Sequence, residues 1–128
     1  MNIEAIDHFV LTVTDIDAAC AFYSQVLGMR VTGFGGGRRA VCFGTQKINL
    51  HQSGKEFEPK AKKPTPGSAD LCFITGISLS KVIEQLTAQN VAIVEGPVQR
   101  TGAIGVIMSV YFRDPDGNLI EVSTYGSD

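Results

Sequence analysis

The chain repeats the order of its segments after an interval of 62 residues. Under this offset the apolar run 9–11 falls on 71–73, and residues 29–31 fall on 91–93. Gly28 falls on Asn90, and both are residue types that can end a helix in a left-handed conformation. A repeat that covers most of a chain restricts the fold to two similar units.

Each unit is predicted to contain a strand, a helix and three further strands. In the first unit the hydrophobic patterns indicate strands over 6–11, 29–33, 39–44 and 48–51 and a helix over 18–27. In the second they indicate strands over 70–75, 91–95, 109–113 and 119–124 and a helix over 81–89 that begins after Ser80. We therefore predict an α+β fold of tandem βαβββ modules, with module one over 1–54, a Lys- and Pro-rich linker over 55–67, and module two over 68–126.

Composition excludes several classes of protein. The chain has 128 residues and a net charge of −2, without the basic face of a nucleic-acid-binding protein. No apolar stretch approaches the roughly 20 residues that span a bilayer, so no membrane association is expected. Cys20, Cys42 and Cys72 are an odd number without CxxC spacing, which predicts buried, unpaired thiols in a reducing, cytoplasmic setting.

Three metal-competent side chains lie within strand-like apolar runs: His8, His51 and Glu121. Burying such groups without partners would cost several kcal/mol, so the pattern calls for a ligand. Two imidazoles and one carboxylate form the ligand set of a divalent-metal site with open positions. If an insertion of eight residues lies around 100–105, Glu121 aligns with His51, and the offset of 62 aligns His8 with Asp70. We predict that the three side chains bind one divalent cation, which could be Zn, Ni, Fe, Mn or Co.

The strand at 109–113 places polar side chains on one face and apolar ones on the other. Ser109, Tyr111 and Arg113 alternate with apolar residues, which is typical of a strand that lines a cleft. Tyr111 and Arg113 are candidates for binding an anionic or oxygen-rich substrate, and Arg39, Lys47 and Arg100 are weaker candidates. The segment 114–118 has the Pro and Gly placement of a tight turn between strands.

Three motifs carry a resemblance to a known family. They are His-Phe at 8–9, the segments Phe-Tyr at 22–23 and Val-Leu-Gly at 26–28, and the run 111–121, Tyr-Phe-Arg-Asp-Pro-Asp-Gly-Asn-Leu-Ile-Glu. Together they resemble the vicinal oxygen chelate superfamily, which includes glyoxalase I, fosfomycin and bleomycin resistance proteins, and extradiol dioxygenases. The resemblance implies a curled mixed sheet around a metal-binding cleft, ligands at the positions of His8, His51, Asp70 and Glu121, and a homodimer that completes or shapes each site.

The function expected from this resemblance is a glyoxalase I-like lyase acting on a small vicinal-oxygen substrate, with glutathione or another thiol as a partner. Glu121 or Asp70 would be the base. The order His, His, Asp, Glu departs from the glyoxalase I pattern of His or Gln, Glu, His, Glu, so the identity of the base is open. A catechol-cleaving dioxygenase would need a further histidine, which this chain lacks. A fosfomycin-type thiol transferase and a metal-free binding protein like the bleomycin resistance proteins are further alternatives.

Overall fold

The protein contains two compact units that divide after Gly67. The structure, a computed structural model, describes residues 1–126. Each unit consists of one four-stranded mixed sheet and one helix in the order βαβββ. The predicted α+β class and the tandem βαβββ arrangement are therefore confirmed. No helix within the described part of the chain is long and apolar enough to cross a membrane.

The first unit contains the elements β1 (His8–Val13), α1 (Ile16–Gln25), β2 (Arg30–Phe34), β3 (Arg38–Phe43) and β4 (Gln46–Gln52). Its sheet has the strand order β1-β4-β3-β2, with β1 and β4 parallel and the other pairs antiparallel. The helix is capped by Asp15, whose carboxylate accepts a hydrogen bond from the backbone N–H of Ala18 at 3.1 Å. It ends before Gly28, which has a positive φ of 69°.

The second unit repeats this arrangement with β5 (Asp70–Ile74), α2 (Leu79–Ala88), β6 (Glu95–Thr101), β7 (Val106–Arg113) and β8 (Leu119–Thr124). The strand order is β5-β8-β7-β6. The α2 helix is capped by Ser78, whose Oγ accepts from the Lys81 N–H at 3.2 Å, so the predicted cap at Ser80 is wrong by two residues. Asn90 has a positive φ of 58°, as expected for a residue that ends a helix.

The strand predicted over 91–95 is wrong. Residues 91–93 form the connection after α2, and the edge strand β6 begins only at Glu95. The apolar, β-branched sequence suggested a strand, but hydrogen bonding to β7 decides where the strand lies. That pairing extends β6 to Thr101, opposite Val106, so Arg100 and Thr101 of the predicted loop lie in β6 and residues 102–105 form the loop of a β6–β7 hairpin.

Alternation along the strands gives each sheet an apolar face and a polar face. In the first unit Leu11, Val41 and Ile48 lie on the apolar face, each at most 5% exposed. In the second unit Val110, Phe112 and the neighbouring residues of β8 do the same. Each helix contacts strands of its own sheet. The candidate site residues lie on the polar faces.

Candidate active site

Glu121 lies in the middle of β8 on the polar face of the second sheet. Its Oε2 accepts a hydrogen bond of 2.6 Å from Ser109 Oγ on β7 and one of 3.3 Å from Ser123 Oγ. Both serines are fully buried, and their hydroxyls are 2.6 Å apart. Hydroxyl donors fix the orientation of the carboxylate that accepts from them. Glu121 is thus held as an oriented carboxylate.

Tyr111 lies directly opposite Glu121 in the antiparallel ladder of β7 and β8. Its hydroxyl accepts a 2.9 Å hydrogen bond from Arg100 Nε, and the Arg100 Nη2 donates to Glu95 Oε2 at 3.0 Å. Burial raises the pKa of Tyr111 and the Glu121 carboxylate adds to this, while the hydrogen bond from Arg100 opposes the shift. A side-chain hydrogen bond between the Tyr111 phenol and the Glu121 carboxylate also raises the pKa, so the phenol oxygen accepts from Arg100 and its proton is directed at Glu121.

A cavity of about 360 Å³ opens beside these side chains, entirely within the second unit. This is near the lower end of the ~300–1,000 Å³ range of small-molecule sites. Its polar end is formed by Arg100, Tyr111 and Glu121, and its apolar wall includes Ile74 and Ile107. The cavity therefore suits a small molecule with an oxygen-rich head.

The thiol of Cys72 also faces this cavity, because Cys72 is the register partner of Glu121 on β5. Its Sγ lies 3.3 Å from Ser123 Oγ. Partial burial of the thiol raises the pKa of Cys72, the hydrogen bond with Ser123 opposes this shift, and the nearby Glu121 carboxylate adds to it. As a whole residue Cys72 is exposed, whereas Cys20 is buried. The Cys72 thiol is therefore neutral at physiological pH and a poor nucleophile.

The strand pairing in the two units shows that the predicted alignment of the repeats is wrong at His51. Val10 pairs with Asn49 in the first unit, and Cys72 pairs with Glu121 in the second. Since position 10 is equivalent to position 72, the residue equivalent to Glu121 is Asn49. His51 is equivalent to Ser123 instead, because the insertion in the second unit is two residues longer than predicted.

Asn49 has an unusual environment for an amide. Its Oδ1 is buried and has no hydrogen-bond partner among residues 1–126. A buried carbonyl oxygen without a donor costs about 1–3 kcal/mol, so such an atom points to a ligand. Asn49 shares the polar face of its sheet with Lys47 and His51.

His8 is the first residue of β1, and its side chain is 46% exposed. Its Nδ1 lies 2.7 Å from Asp7 Oδ1. When Nδ1 carries the proton, Nε2 is free to bind a metal, and a carboxylate behind the ring is the usual support of a metal-binding histidine. The register places His8 two residues before the partner of Asn49, on the same face of the sheet.

His51 lies farther along the same parallel ladder. It pairs with Thr12, whereas His8 pairs with Lys47, so four residues or roughly 13 Å of strand separate the two histidines. His51 is 6% exposed, and its ring contacts the edge of Phe57 at a centroid distance of 5.6 Å. Burial lowers the pKa of His51, and the positive charge of Arg38 lowers it further.

The remaining predicted site residues fall into two groups. Asp70 begins β5 on the face that carries Glu121, and Arg113 ends β7 on that face, where its Nη1 donates to the Gly117 carbonyl at 3.3 Å. Arg39 differs from the prediction. It lies on the opposite face of β3 and pairs with Asp17 of α1 at 3.2 Å, so it does not share the polar face with Asn49.

The chemical types of the candidate ligand groups suit a divalent cation. His8 offers a supported imidazole, Glu121 an oriented carboxylate, and Asn49 an unpartnered oxygen. Within residues 1–126, no three His, Cys, Asp or Glu side chains come together as a metal site. The predicted ligands are divided between the units, and their binding of a common metal stays a prediction.

The fold is shared with a known superfamily. Residues 5–122 match the family model described as Glyoxalase/Bleomycin resistance protein/Dioxygenase superfamily. The chain belongs to this superfamily, in agreement with the resemblance seen in its sequence motifs.

Individual relatives are similar over almost the whole chain. The virulence protein STM3117 of Salmonella typhimurium is 58% identical over 98% of this chain and 87% of its own, and its crystal structure gives a TM-score of 0.97. The glyoxalase domain-containing protein RDO1 of Mycosarcoma maydis is 54% identical over 98% of this chain and 70% of its own. A lactoylglutathione lyase from Agrobacterium tumefaciens is 26% identical, with a TM-score of 0.74 over 98% of this chain and 96% of its own.

Sequence reasoning missed Asn49 and the two serines that hold Glu121. A signal for Asn49 was present, since Ile48-Asn49-Leu50 matches residues 120–122, Ile-Glu-Val, better than any frame that includes His51. Alternation placed Ser109 on the polar face, but it gave no sign that the two serines contact Glu121. Their role depends on the register between β7 and β8, which brings Ser109 opposite Ser123.

Proposed function

We propose that this protein is a metal-dependent lyase of the glyoxalase I type, acting on a small substrate with two adjacent oxygens. The observation that carries the proposal is the oriented Glu121 carboxylate beside Tyr111 at the polar end of a small cavity. Membership of the superfamily and the similarity to a lactoylglutathione lyase support it.

In this proposal the metal ligands include His8 and Glu121, and the oxygen of Asn49 is a better candidate than His51. The Asp7 carboxylate orients His8, and two serine hydroxyls orient Glu121. A bound divalent cation would supply Lewis-acid polarisation of the substrate oxygens.

The chain's own residues would then move the proton. A carboxylate removes the proton from the carbon that bears one substrate oxygen and returns it to the neighbouring carbon, which isomerises the substrate without net redox change. Glu121 is the proposed base, with Asp70, on the same face of the sheet, as the alternative. With substrate bound, the phenol of Tyr111 would shift its hydrogen bond from Glu121 to a substrate oxygen on which negative charge develops.

The homodimer also belongs to this proposal. β1 and β5 are edge strands of their sheets, and they expose the apolar residues Val10 and Ile74 at 44% and 54%. A second chain would cover such edges.

Cys20, Cys42 and Cys72 are free thiols, which suits the cytoplasmic location that we propose.

The experiment that tests the function compares three reactions under one set of conditions. Metal-loaded protein is given methylglyoxal with glutathione, catechol with Fe(II) and oxygen, and fosfomycin with a thiol. We expect the protein to convert the methylglyoxal–glutathione adduct to the thioester and to convert neither catechol nor fosfomycin. Ring opening of catechol, or thiol addition to fosfomycin, without thioester formation would contradict the proposal.

A further inference from the structure

The cavity of the second unit extends along the strands beyond its polar end. Tyr111 and Glu121 face each other in the ladder of β7 and β8 and form the polar end. Ile107, which also lines the cavity, lies four residues before Tyr111, and four residues of strand cover roughly 13 Å. Tyr125 lies four residues after Glu121, and because the two strands are antiparallel this is the same direction. A ligand held at the polar end therefore has space for a further group toward Tyr125.

The side chain of Tyr125 is held at this end by the loop between β6 and β7. Its hydroxyl accepts a 3.2 Å hydrogen bond from the Ile104 N–H. A β-carbon at Gly102 would lie 2.6 Å from the same hydroxyl and 2.9 Å from Ile107 Cγ2, so a larger residue there would displace both side chains. A β-carbon at Gly105 would lie 3.9 Å from the Tyr125 ring, which is an ordinary contact distance. The loop therefore holds the ring of Tyr125 in place as a wall of the cavity.

Charge restricts the ligands that this end of the cavity can accept. Among the described residues that line the cavity, Arg100 is the only cation, and its Nη2 already donates to Glu95 at 3.0 Å. The lining toward Tyr125 is apolar and includes Ile74, Ala103 and Ile107. A charged group placed there would lose its hydration without gaining a free counter-charge. This end therefore suits an uncharged group and not the carboxylates of a glutathionyl chain.

The cavity is too large to be filled by a methyl group. Its volume is about 360 Å³, whereas one water molecule, which is about as large as a methyl group, takes up ~30 Å³ of the liquid. A substrate with only a methyl group beside its oxygens would leave the apolar lining in contact with water. Each further methylene that this lining buries should tighten binding about fourfold. A branched alkyl group would therefore bind more tightly than a methyl group.

We propose that the Tyr125 end of the cavity is an apolar subsite for an uncharged branched alkyl group of the substrate, and that Tyr125 is its specificity-determining residue. This deepens the proposed function and rests on it, because it narrows the substrate class to adducts of 2-oxoaldehydes whose carbon substituent is larger than methyl. The oxygens of such an adduct would lie at the polar end, beside Tyr111 and Glu121. An inert ligand can bind here without turnover, so the two proposals can fail separately.

The first test is a titration of the full-length protein with three inert amides, followed by backbone amide NMR. Isovaleramide carries a branched alkyl group, acetamide carries a methyl group, and succinamate carries a carboxylate on a chain of similar length. We expect isovaleramide to shift the amides of residues 102–105 and to bind about ten- to fiftyfold more tightly than acetamide. Succinamate should bind more weakly than isovaleramide. Equal affinities for isovaleramide and acetamide, or tighter binding of succinamate, overturn the inference.

Variants test the role of Tyr125. Tyr125→Ala removes the ring and should bring the affinity for isovaleramide within about threefold of that for acetamide. Gly102→Ala should also weaken isovaleramide binding, because a β-carbon at this position displaces the ring. If both substitutions act through the ring, the double variant binds isovaleramide no more weakly than Tyr125→Ala does. Ile77→Ala is the control, because it shortens an apolar side chain that is 41% exposed and lies outside the cavity lining.

Activity measurements connect the subsite to the reaction. With metal-loaded protein and glutathione, we expect kcat/KM for the 4-methyl-2-oxopentanal adduct to be about tenfold above that for the methylglyoxal adduct, and Tyr125→Ala to reduce this ratio to about one. Isovaleramide binding without turnover of either adduct supports the subsite and contradicts the proposed function. Turnover with no preference between the adducts, or an equal loss of isovaleramide binding in Ile77→Ala, overturns the inference. Circular dichroism of each variant establishes that the fold is retained.

Discussion

Replacing Glu121 with Gln lowers turnover of the methylglyoxal–glutathione adduct by about 10²–10⁴-fold, the usual contribution of a positioned acid–base group. The amide keeps the shape of the side chain and can still accept from Ser109 and Ser123, which are 2.6 and 3.3 Å from the carboxylate. It loses the negative charge and the ability to take a proton. The fold is therefore expected to survive while the reaction is lost.

The control for this variant is Glu84→Gln. Glu84 lies on α2, is 72% exposed, and contacts Lys81 at 3.9 Å, so its charge is remote from the polar face of the sheet. We expect Glu84→Gln to retain the wild-type rate. Steady-state rates of both variants, with melting curves to establish folding, make the comparison. A Glu121→Gln enzyme with nearly the wild-type rate would remove Glu121 from the chemistry.

Replacing Asn118 with Ala should lower the free energy of unfolding by about 2–4 kcal/mol, because buried polar groups lose their partners. Asn118 is 1% exposed, and its Nδ2 donates to Asp114 Oδ2 at 2.7 Å. Its Oδ1 accepts from the Ala69 N–H at 2.8 Å, which connects the turn to the start of β5. The substitution removes the hydrogen bond to Asp114 Oδ2 and the acceptor of the Ala69 N–H.

Urea denaturation monitored by circular dichroism measures this change, with Asn2→Ala as the control at an exposed position near the N-terminus. The Asn118→Ala substitution should also lower activity, because this hairpin sets the register between Tyr111 and Glu121. A change in stability below about 1 kcal/mol would mean that water replaces the lost hydrogen bonds.

The parts of the fold that depend on local chemistry could be predicted from the sequence. The hairpin at 114–118, the ends of β8 and the left-handed Asn90 are determined by turn residues and by short-range patterns. The fold class followed from the repeat for the same reason. Each unit contains the same local signals in the same order, so their agreement made the prediction robust.

The site was harder to predict because strand register is a non-local property. His51 was chosen for its residue type, but the parallel pairing of β1 and β4 makes Asn49 the equivalent of Glu121. A shift of two residues keeps a side chain on the same face, so alternation alone could not separate Asn49 from His51. Likewise, Arg38 and Arg39 are adjacent residues of the same type that lie on opposite faces of the sheet, so residue type could not separate them.

The most direct test of the central claim is the rate of thioester formation from the methylglyoxal–glutathione adduct, before and after removal of metal. Protein stripped with a chelator should be inactive, and adding one divalent cation per chain should restore the rate. His8→Ala and Glu121→Gln should each lose both the bound metal and the restored rate. Stripped protein that binds no divalent cation, or that makes thioester at an undiminished rate, would contradict a metal-dependent lyase.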